Sequence, residues 1–338
     1  MEKHYDLAVI GGGFSGCAAA LAAARGGAKV LLVERINALG GAPCTMAVNP
    51  FMRNATTLPG TNERKQLSQG IFAEIYDALK AEGATRDNIF NPEYLKIILN
   101  RKMKEAGVDL LFNSLFVSAK REGNRVVSVT VANKSGLTEL EADFFVDATG
   151  DADVAALAGV AFHKGVSETD LQEGCGNVLG QMMAFGTMFR VRGVDYSRLY
   201  DYLEAHPEGF WQHEFGVMTL ENARQSHENG EMSVMRVVVD LPEEKTGLLQ
   251  VYNMPARDEA VLLGPYCGYE GDGLDGKSIS RGQEALQRGD AGVGVGLDVE
   301  VRVVVFPEIR EDGGGLLRAR PLRHGALDEL GHAVAHEQ

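Results

Sequence analysis

No apolar run in this 338-residue chain approaches the roughly 20 residues that a helix needs to cross a bilayer, so no membrane span is expected. The opening MEKHYDLAVI reads as a first strand with no small-residue cleavage site after it, so it is not expected to be a signal peptide. Positive charge is scarce: the formal net charge is −14. A nucleic-acid surface needs clustered Lys and Arg to neutralise phosphates, so a nucleic-acid partner is not expected. Cys17, Cys44, Cys175 and Cys267 form no C-x-x-C pair, which excludes a zinc ribbon and a local redox dithiol and fits a reducing, cytoplasmic location. His206, His213 and His227 share no metal-ligand spacing, and no metal is expected. A catalytic triad is also missing.

What is present begins at Tyr5. Leu7–Ile10 is a short apolar run of the kind buried on both faces of a parallel sheet. Gly11, Gly13 and Gly16 follow with G-x-G-x-x-G spacing, flanking Phe14 and Ser15. The first glycine permits the tight turn, the second lets the backbone approach a pyrophosphate, and the third lets helix and strand pack closely. An alanine-rich helix over Ser15–Arg25 points free N–H groups and a positive dipole end at the phosphates. A second strand, Lys29–Val33, ends in Glu34, eighteen residues after Gly16. A carboxylate there accepts hydrogen bonds from ribose hydroxyls and repels a 2′-phosphate. Ser15 lies in a G-x-S-G context, yet the phosphate loop gives it a better role than nucleophile.

Beyond Glu34, Arg35 stacks on an adenine or is simply solvated. Gly40 and Gly41 lie in a loop of small residues, with Cys44 and Thr45 just after. The spacing of Leu67, Ile71, Ile75 and Leu79 predicts an amphipathic helix over residues 64–82. Asn91–Pro92 opens another, with Tyr94, Leu95, Ile98, Leu99 and Met103 inward and Gly107 at its end. Residues 108–112 read as the third parallel strand. Residues 116–119, 125–131 and 138–140 then read as an antiparallel meander. Residues 142–148, ADFFVDA, return as a buried parallel strand that ends in Thr149–Gly150–Asp151 and a short helix over residues 152–158.

GGGFSG, the terminal Glu34, the glycine-pair loop, the meander and FVDATGDADVAALAG together resemble the flavoproteins with two dinucleotide-binding folds, specifically the broad family of FAD-dependent oxidoreductases. The resemblance implies an α/β fold: a Rossmann-like FAD-binding domain with a three-stranded β-meander over residues 1–159, and an inserted α+β substrate domain over residues 160–288. It implies FAD as cofactor, held by Gly11, Gly13, Phe14, Ser15, Gly16, Glu34, Arg35, Gly40, Gly41, Thr45, Ala148, Thr149, Gly150 and Asp151, with Phe116 where the meander packs on the adenine. In the substrate domain, residues 182–192, 234–241 and 246–253 read as strands and 196–206 as a helix, a pattern for an antiparallel sheet with a helix on one side. Ser278 or Ser280 is expected to cap a later helix.

A flavoenzyme relies on the cofactor for the hydride, and the protein supplies binding and orientation. The candidates for chemistry are therefore Cys44, beside the glycine pair, and His163, after the Ala-Thr-Gly helix; each is also read as structural. Hydride transfer between flavin and a small organic substrate is the expected reaction. No second G-x-G-x-x-G is visible, so NAD(P)H or another protein is expected to dock transiently as electron partner, and a homo-oligomer is compatible with the sequence. A Rossmann protein using NAD directly is one alternative. A non-catalytic truncated flavoprotein that binds FAD weakly is another, prompted by residues 289–338, which contain no Lys, Ser, Thr, Asn, Tyr, Trp, Cys or Met. That tail reads as a divergent ending or as out-of-frame translation, with the second favoured.

Overall fold

Strand β1 (Tyr5–Ile10) is the middle of a sheet from which the glycine turn departs. The computed structural model describes residues 4–52, 54–61, 63–170, 179–180, 182, 188–210, 219–241, 245–263 and 275–281. Cys175, Cys267, His213 and the 289–338 tail lie outside the described residues.

Helix α1 (Phe14–Arg25) follows the turn, then β2 (Val30–Val33) and the single-turn α2 (Ala42–Thr45). Two small hairpins come next, β3 (Ala55–Thr57) with β4 (Arg64–Gln66), and β5 (Thr85–Arg86) with β6 (Ile89–Phe90), separated by α3 (Ile71–Ala81). Helix α4 (Pro92–Glu105), β7 (Asp109–Leu111), β8 (Leu115–Glu122), β9 (Arg125–Asn133), β10 (Gly136–Asp147) and α5 (Asp153–Leu157) complete this unit. The sheet order is β7-β2-β1-β10-β9-β8, parallel from β7 to β10 and antiparallel beyond.

Period-two alternation divides β1 and β2 between two cores. Val9, Val30 and Leu32 join Leu21, Leu79, Leu95 and Leu99 beneath α1, α3 and α4. Ala8, Ile10, Leu31 and Val33 face the other way and meet Val129, Val131 and Leu140 of the meander. Asn91 caps α4 by accepting from the Glu93 N–H at 3.0 Å, and Pro92 occupies the first turn, where its missing donor costs nothing.

In this unit four expectations are corrected. The helix over 64–82 begins only at Ile71: residues 64–66 pair with 55–57, and Leu67 is 57 % exposed. Apolar spacing alone does not register that a hairpin has taken the backbone donors first. Tyr94 is 39 % exposed and lies off the inner face of α4. The third meander strand and the returning parallel strand are one strand, β10, whose Gly136–Glu141 half pairs with β9 and whose Ala142–Asp147 half pairs with β1. Nor is that second half buried throughout, since no described element covers Phe144, which is 72 % exposed.

The second unit is a four-stranded antiparallel sheet, β11 (Met188–Arg192), β12 (Val234–Leu241), β13 (Lys245–Asn253) and β14 (Glu259–Leu263), in the order β11-β14-β13-β12. Helices α6 (Tyr196–Ala205) and α7 (Leu220–Asn229) supply Tyr196, Tyr200, Leu203 and Ala223 to its core, against Met235, Leu249, Val251, Ala260 and Leu262. Of the strand expected over 182–192, residues 188–192 form it and 183–187 lie outside the described residues. Neither α7 nor β14 is anticipated from sequence. Residues 276–281 are helical, but the cap is Asp275, which accepts from the Ser278 N–H at 2.8 Å; neither Ser278 nor Ser280 caps it. Asn49, buried in the first unit, joins the two by donating to the Phe90 carbonyl at 3.0 Å and approaching Met254 Sδ at 2.9 Å.

Candidate functional site

The carboxyl ends of β1, β2 and β10 converge on one edge, where open α/β sheets form ligand crevices. Gly11 N–H donates to the Val33 carbonyl and Ala148 N–H to the Ile10 carbonyl, both at 2.8 Å, so the turns after β1 and β10 are tied to the sheet. Gly11 adopts φ +105°, and a side chain there would meet the Ala148 carbonyl oxygen at 2.3 Å. Gly16 is bound by its neighbour in the same turn: a Cβ would lie 1.8 Å from the Gly11 carbonyl oxygen. These two glycines let the turn close.

Gly13 differs. It is extended (φ −69°, ψ −175°), and a Cβ there meets only the Gly41 Cα, at 3.9 Å. Gly150 likewise has nothing within 4 Å. Among the described residues, nothing fills the space beside either one. Gly13 is also the N-cap of α1, with no side chain capping it and no acidic residue in the first turn. An uncapped helix start presents N–H donors and a positive dipole end to whatever lies in front of it.

The glycine pair packs on this turn. Gly40 N–H donates to the Gly12 carbonyl at 2.8 Å, and a Cβ on Gly41 would come within 3.0 Å of Gly13 Cα. At Gly40, φ +111° and a Cβ only 2.4 Å from Cys44 Sγ make a side chain untenable. Glu34, 7 % exposed, accepts from Gly12 N–H at 2.7 Å through Oε2 and from Ile36 N–H at 3.0 Å through Oε1. Its carboxylate thus holds the loop, and each oxygen keeps further lone-pair capacity.

On the far side, Asp147 is the organising acid. Its Oδ1 accepts from the Thr149 N–H at 3.0 Å and the Thr149 hydroxyl at 2.6 Å, and its Oδ2 accepts from Ala155 N–H at 2.8 Å. Thr149 Oγ1 in turn accepts from Asp153 N–H at 2.8 Å, fixing the start of α5. Sequence reasoning passed over Asp147 in favour of Asp151, which is exposed. The available signal was an acid two residues before a threonine at a strand-to-helix turn, the Asx-turn pattern. Burial pushes the Asp153 carboxyl up, and the neighbouring charges of Asp151 and Asp147 add to the shift.

Of the remaining sequence-predicted residues, Ser15, Arg35 and Thr45 are exposed, Thr45 donating to the Gly41 carbonyl at 3.0 Å. Phe14 packs edge-on against Phe51 with centroids 5.7 Å apart, and Phe116 packs against the second core. Ala148 joins the first core. Cys44 is half-buried, donates to the Pro92 carbonyl at 3.6 Å, and burial pushes its thiol up to about 12. A thiol held protonated at neutral pH is a packing group and a poor nucleophile. His163 is exposed in the segment after α5.

Uncapped helix start, bare glycine backbone at Gly13 and Gly150, and a buried carboxylate at the end of β2 fit an extended dinucleotide. Residues 6–266 match the sequence profile described as FAD dependent oxidoreductase. The chain belongs to that family. FAD is its cofactor, and the residues of this cradle suit it. Solved structures similar to parts of this chain include the flavin-dependent brominase Bmp2 (14 % identity, 83 % of this chain and 61 % of that one, TM-score 0.45). A flavoprotein/dehydrogenase from Cytophaga hutchinsonii is 17 % identical over 78 % of this chain and 56 % of that one, with TM-score 0.41. The THI4 protein of Thermovibrio ammonificans is 22 % identical over 46 % of this chain and 61 % of that one, with TM-score 0.32. The chain spans less than two thirds of the length of each. Among the described residues, no helix is long and apolar enough to cross a membrane.

Proposed function

We propose that this chain is the FAD-holding part of an oxidoreductase acting on a small organic molecule, by oxidation or by reduction of a C=C or C=N bond. One observation carries the reading: two glycine loops and the Asp147-organised turn are locked together by backbone contacts, with open space at Gly13 and Gly150. In this reading the N–H groups at the start of α1 hold the pyrophosphate, the Glu34 carboxylate accepts from the ribose, and Thr149–Gly150 closes the other side. When bound, FAD accepts or donates the hydride. The protein's part is to bind, orient and exclude water, which agrees with the protonated Cys17 and Cys44 thiols among the described residues. NAD(P)H or a second protein docks transiently to exchange electrons. A cytoplasmic setting fits the free thiols of Cys17 and Cys44.

The test is an absorption spectrum of the purified chain before and after incubation with FAD and gel filtration. Visible bands of protein-bound oxidised flavin support the reading, and bleaching by candidate substrates without oxygen then identifies the reaction. A chain that stays colourless after incubation with FAD overturns it.

A further inference from the structure

A cleft of about 650 Å³ opens where the two units meet, and no residue of the glycine cradle lines it. Its walls come from the β3–β4 hairpin, α3, the β5–β6 hairpin, the turn between α7 and β12, and the loop before β14. Lys80, Arg86 and Arg257 line it, opposed by only two carboxylates, Asp87 and Glu231. A locally positive cleft is notable in a chain whose net charge is −14.

Among the described residues no ion pair joins Asp87 or Glu231 to Arg86 or Arg257, or either arginine to any other acid. Asp87 Oδ2 accepts from the Met232 N–H at 3.3 Å, which ties the hairpin to the second unit. Lys80 Nζ lies 4.8 Å from the centre of the Tyr76 ring, which holds the ammonium at the wall without neutralising it. Asn54, only 5 % exposed, also lines the cleft, and its side-chain Nδ2 has no acceptor among the described residues. Buried amide donors are almost always satisfied, so this one calls for an acceptor, which a water or a ligand oxygen entering from the cleft would supply.

We propose that this cleft binds a small oxyanion, the carboxylate or phosphate group of a metabolite. Asn54 Nδ2 donates one hydrogen bond, and Arg86, Arg257 and Lys80 neutralise the charge. Guanidinium groups suit both oxyanions, because their parallel N–H donors match two oxygens at once. The proposal does not rest on flavin binding, since the cleft and the cradle have no lining residue in common.

Calorimetric titration of the full chain with inorganic phosphate and, separately, with succinate, at ionic strength held constant with sodium chloride, tests it. Saturable binding of at least one is expected, and the anion preferred names the source. In R86Q/R257Q, both changes lying on exposed side chains, affinity should fall about tenfold or more, the scale of a charge-assisted pair, with melting temperature and flavin content unchanged. N54L should weaken binding without the change in surface charge. Absence of saturable binding by either anion, or unaltered binding in R86Q/R257Q, overturns the proposal. A colourless chain that still binds the anion overturns only the flavin reading.

Discussion

Gly13 and Gly16 lie in one turn and fail in opposite ways when given a side chain. At Gly16 the new Cβ meets backbone at 1.8 Å, so Gly16→Ala should destabilise the folded chain by about 1–3 kcal/mol or more, read by urea unfolding. At Gly13 the backbone is extended and a Cβ would have 3.9 Å of clearance, so Gly13→Ala should lower the cofactor-free melting temperature only slightly, as expected for a poorer N-cap, while flavin retention is lost. A parallel drop in both properties would mean the open space at Gly13 is not where the cofactor lies. Asp147→Ala removes an acceptor of three hydrogen bonds and should cost about 1.5–3 kcal/mol, the range for bonds to a charged group, with weaker flavin binding as the turn loosens. The glycines were legible in the sequence because their spacing states a backbone requirement. Asp147 was passed over because an acid inside an apolar run draws attention to a ligand-facing role, while its sign, a threonine two residues on, points to its own turn.

The helices over the first sheet are clipped together by charge. Arg25 of α1 donates to both oxygens of Glu74 on α3, at 2.9 and 2.7 Å, and Lys102 of α4 reaches the same carboxylate at 3.4 Å. The arginine bond holds the Glu74 carboxyl down at about 2, from an ordinary 4.5. A carboxyl lowered by folding stabilises the native state above its unfolded value and loses that contribution as pH falls from about 4.5 towards 2. Because Glu74 is 41 % exposed, solvent screening limits the effect, and Glu74→Gln should cost only about 0.5–1 kcal/mol at pH 7. The gap between variant and parent in denaturant midpoint should close across that pH window; a constant gap would assign the clip no electrostatic role. Amphipathic spacing located α3 but overran its start, since the β3–β4 pairing is non-local and leaves the apolar period intact. Helix α7 and β14 went unread for the opposite reason: α7 is mostly polar, burying only Ala223, and β14 is a short run set among loops.

At the scale of the molecule, three cores among the described residues hold the two larger sheets, and the cradle belongs to the first. A ligand that binds only the native state stabilises it by mass action, about 2.7 kcal/mol at a concentration one hundred times its Kd. Hydrogen exchange should therefore show FAD slowing amides of β1, β2, α1 and the end of β10 more than those of β11–β14, whereas phosphate or succinate should slow the β5–β6 hairpin and the turn between α7 and β12. Equal slowing of both sheets by FAD would argue that they unfold as one unit. The architecture itself was readable in outline because each sheet announces its period, while the way β10 serves two neighbours was hidden by Ala142, where an antiparallel pairing becomes a parallel one without a break.

That double service sets a schedule for the chain as it is made. One edge of β1 is closed by β2 soon after synthesis, but the other waits for residues 142–147. At the usual 5–20 residues per second, the ribosome takes about 6–23 s to deliver them. For that interval the innermost strand of the finished protein is an open template, and the emerging chain is at its most vulnerable to pairing with a neighbour.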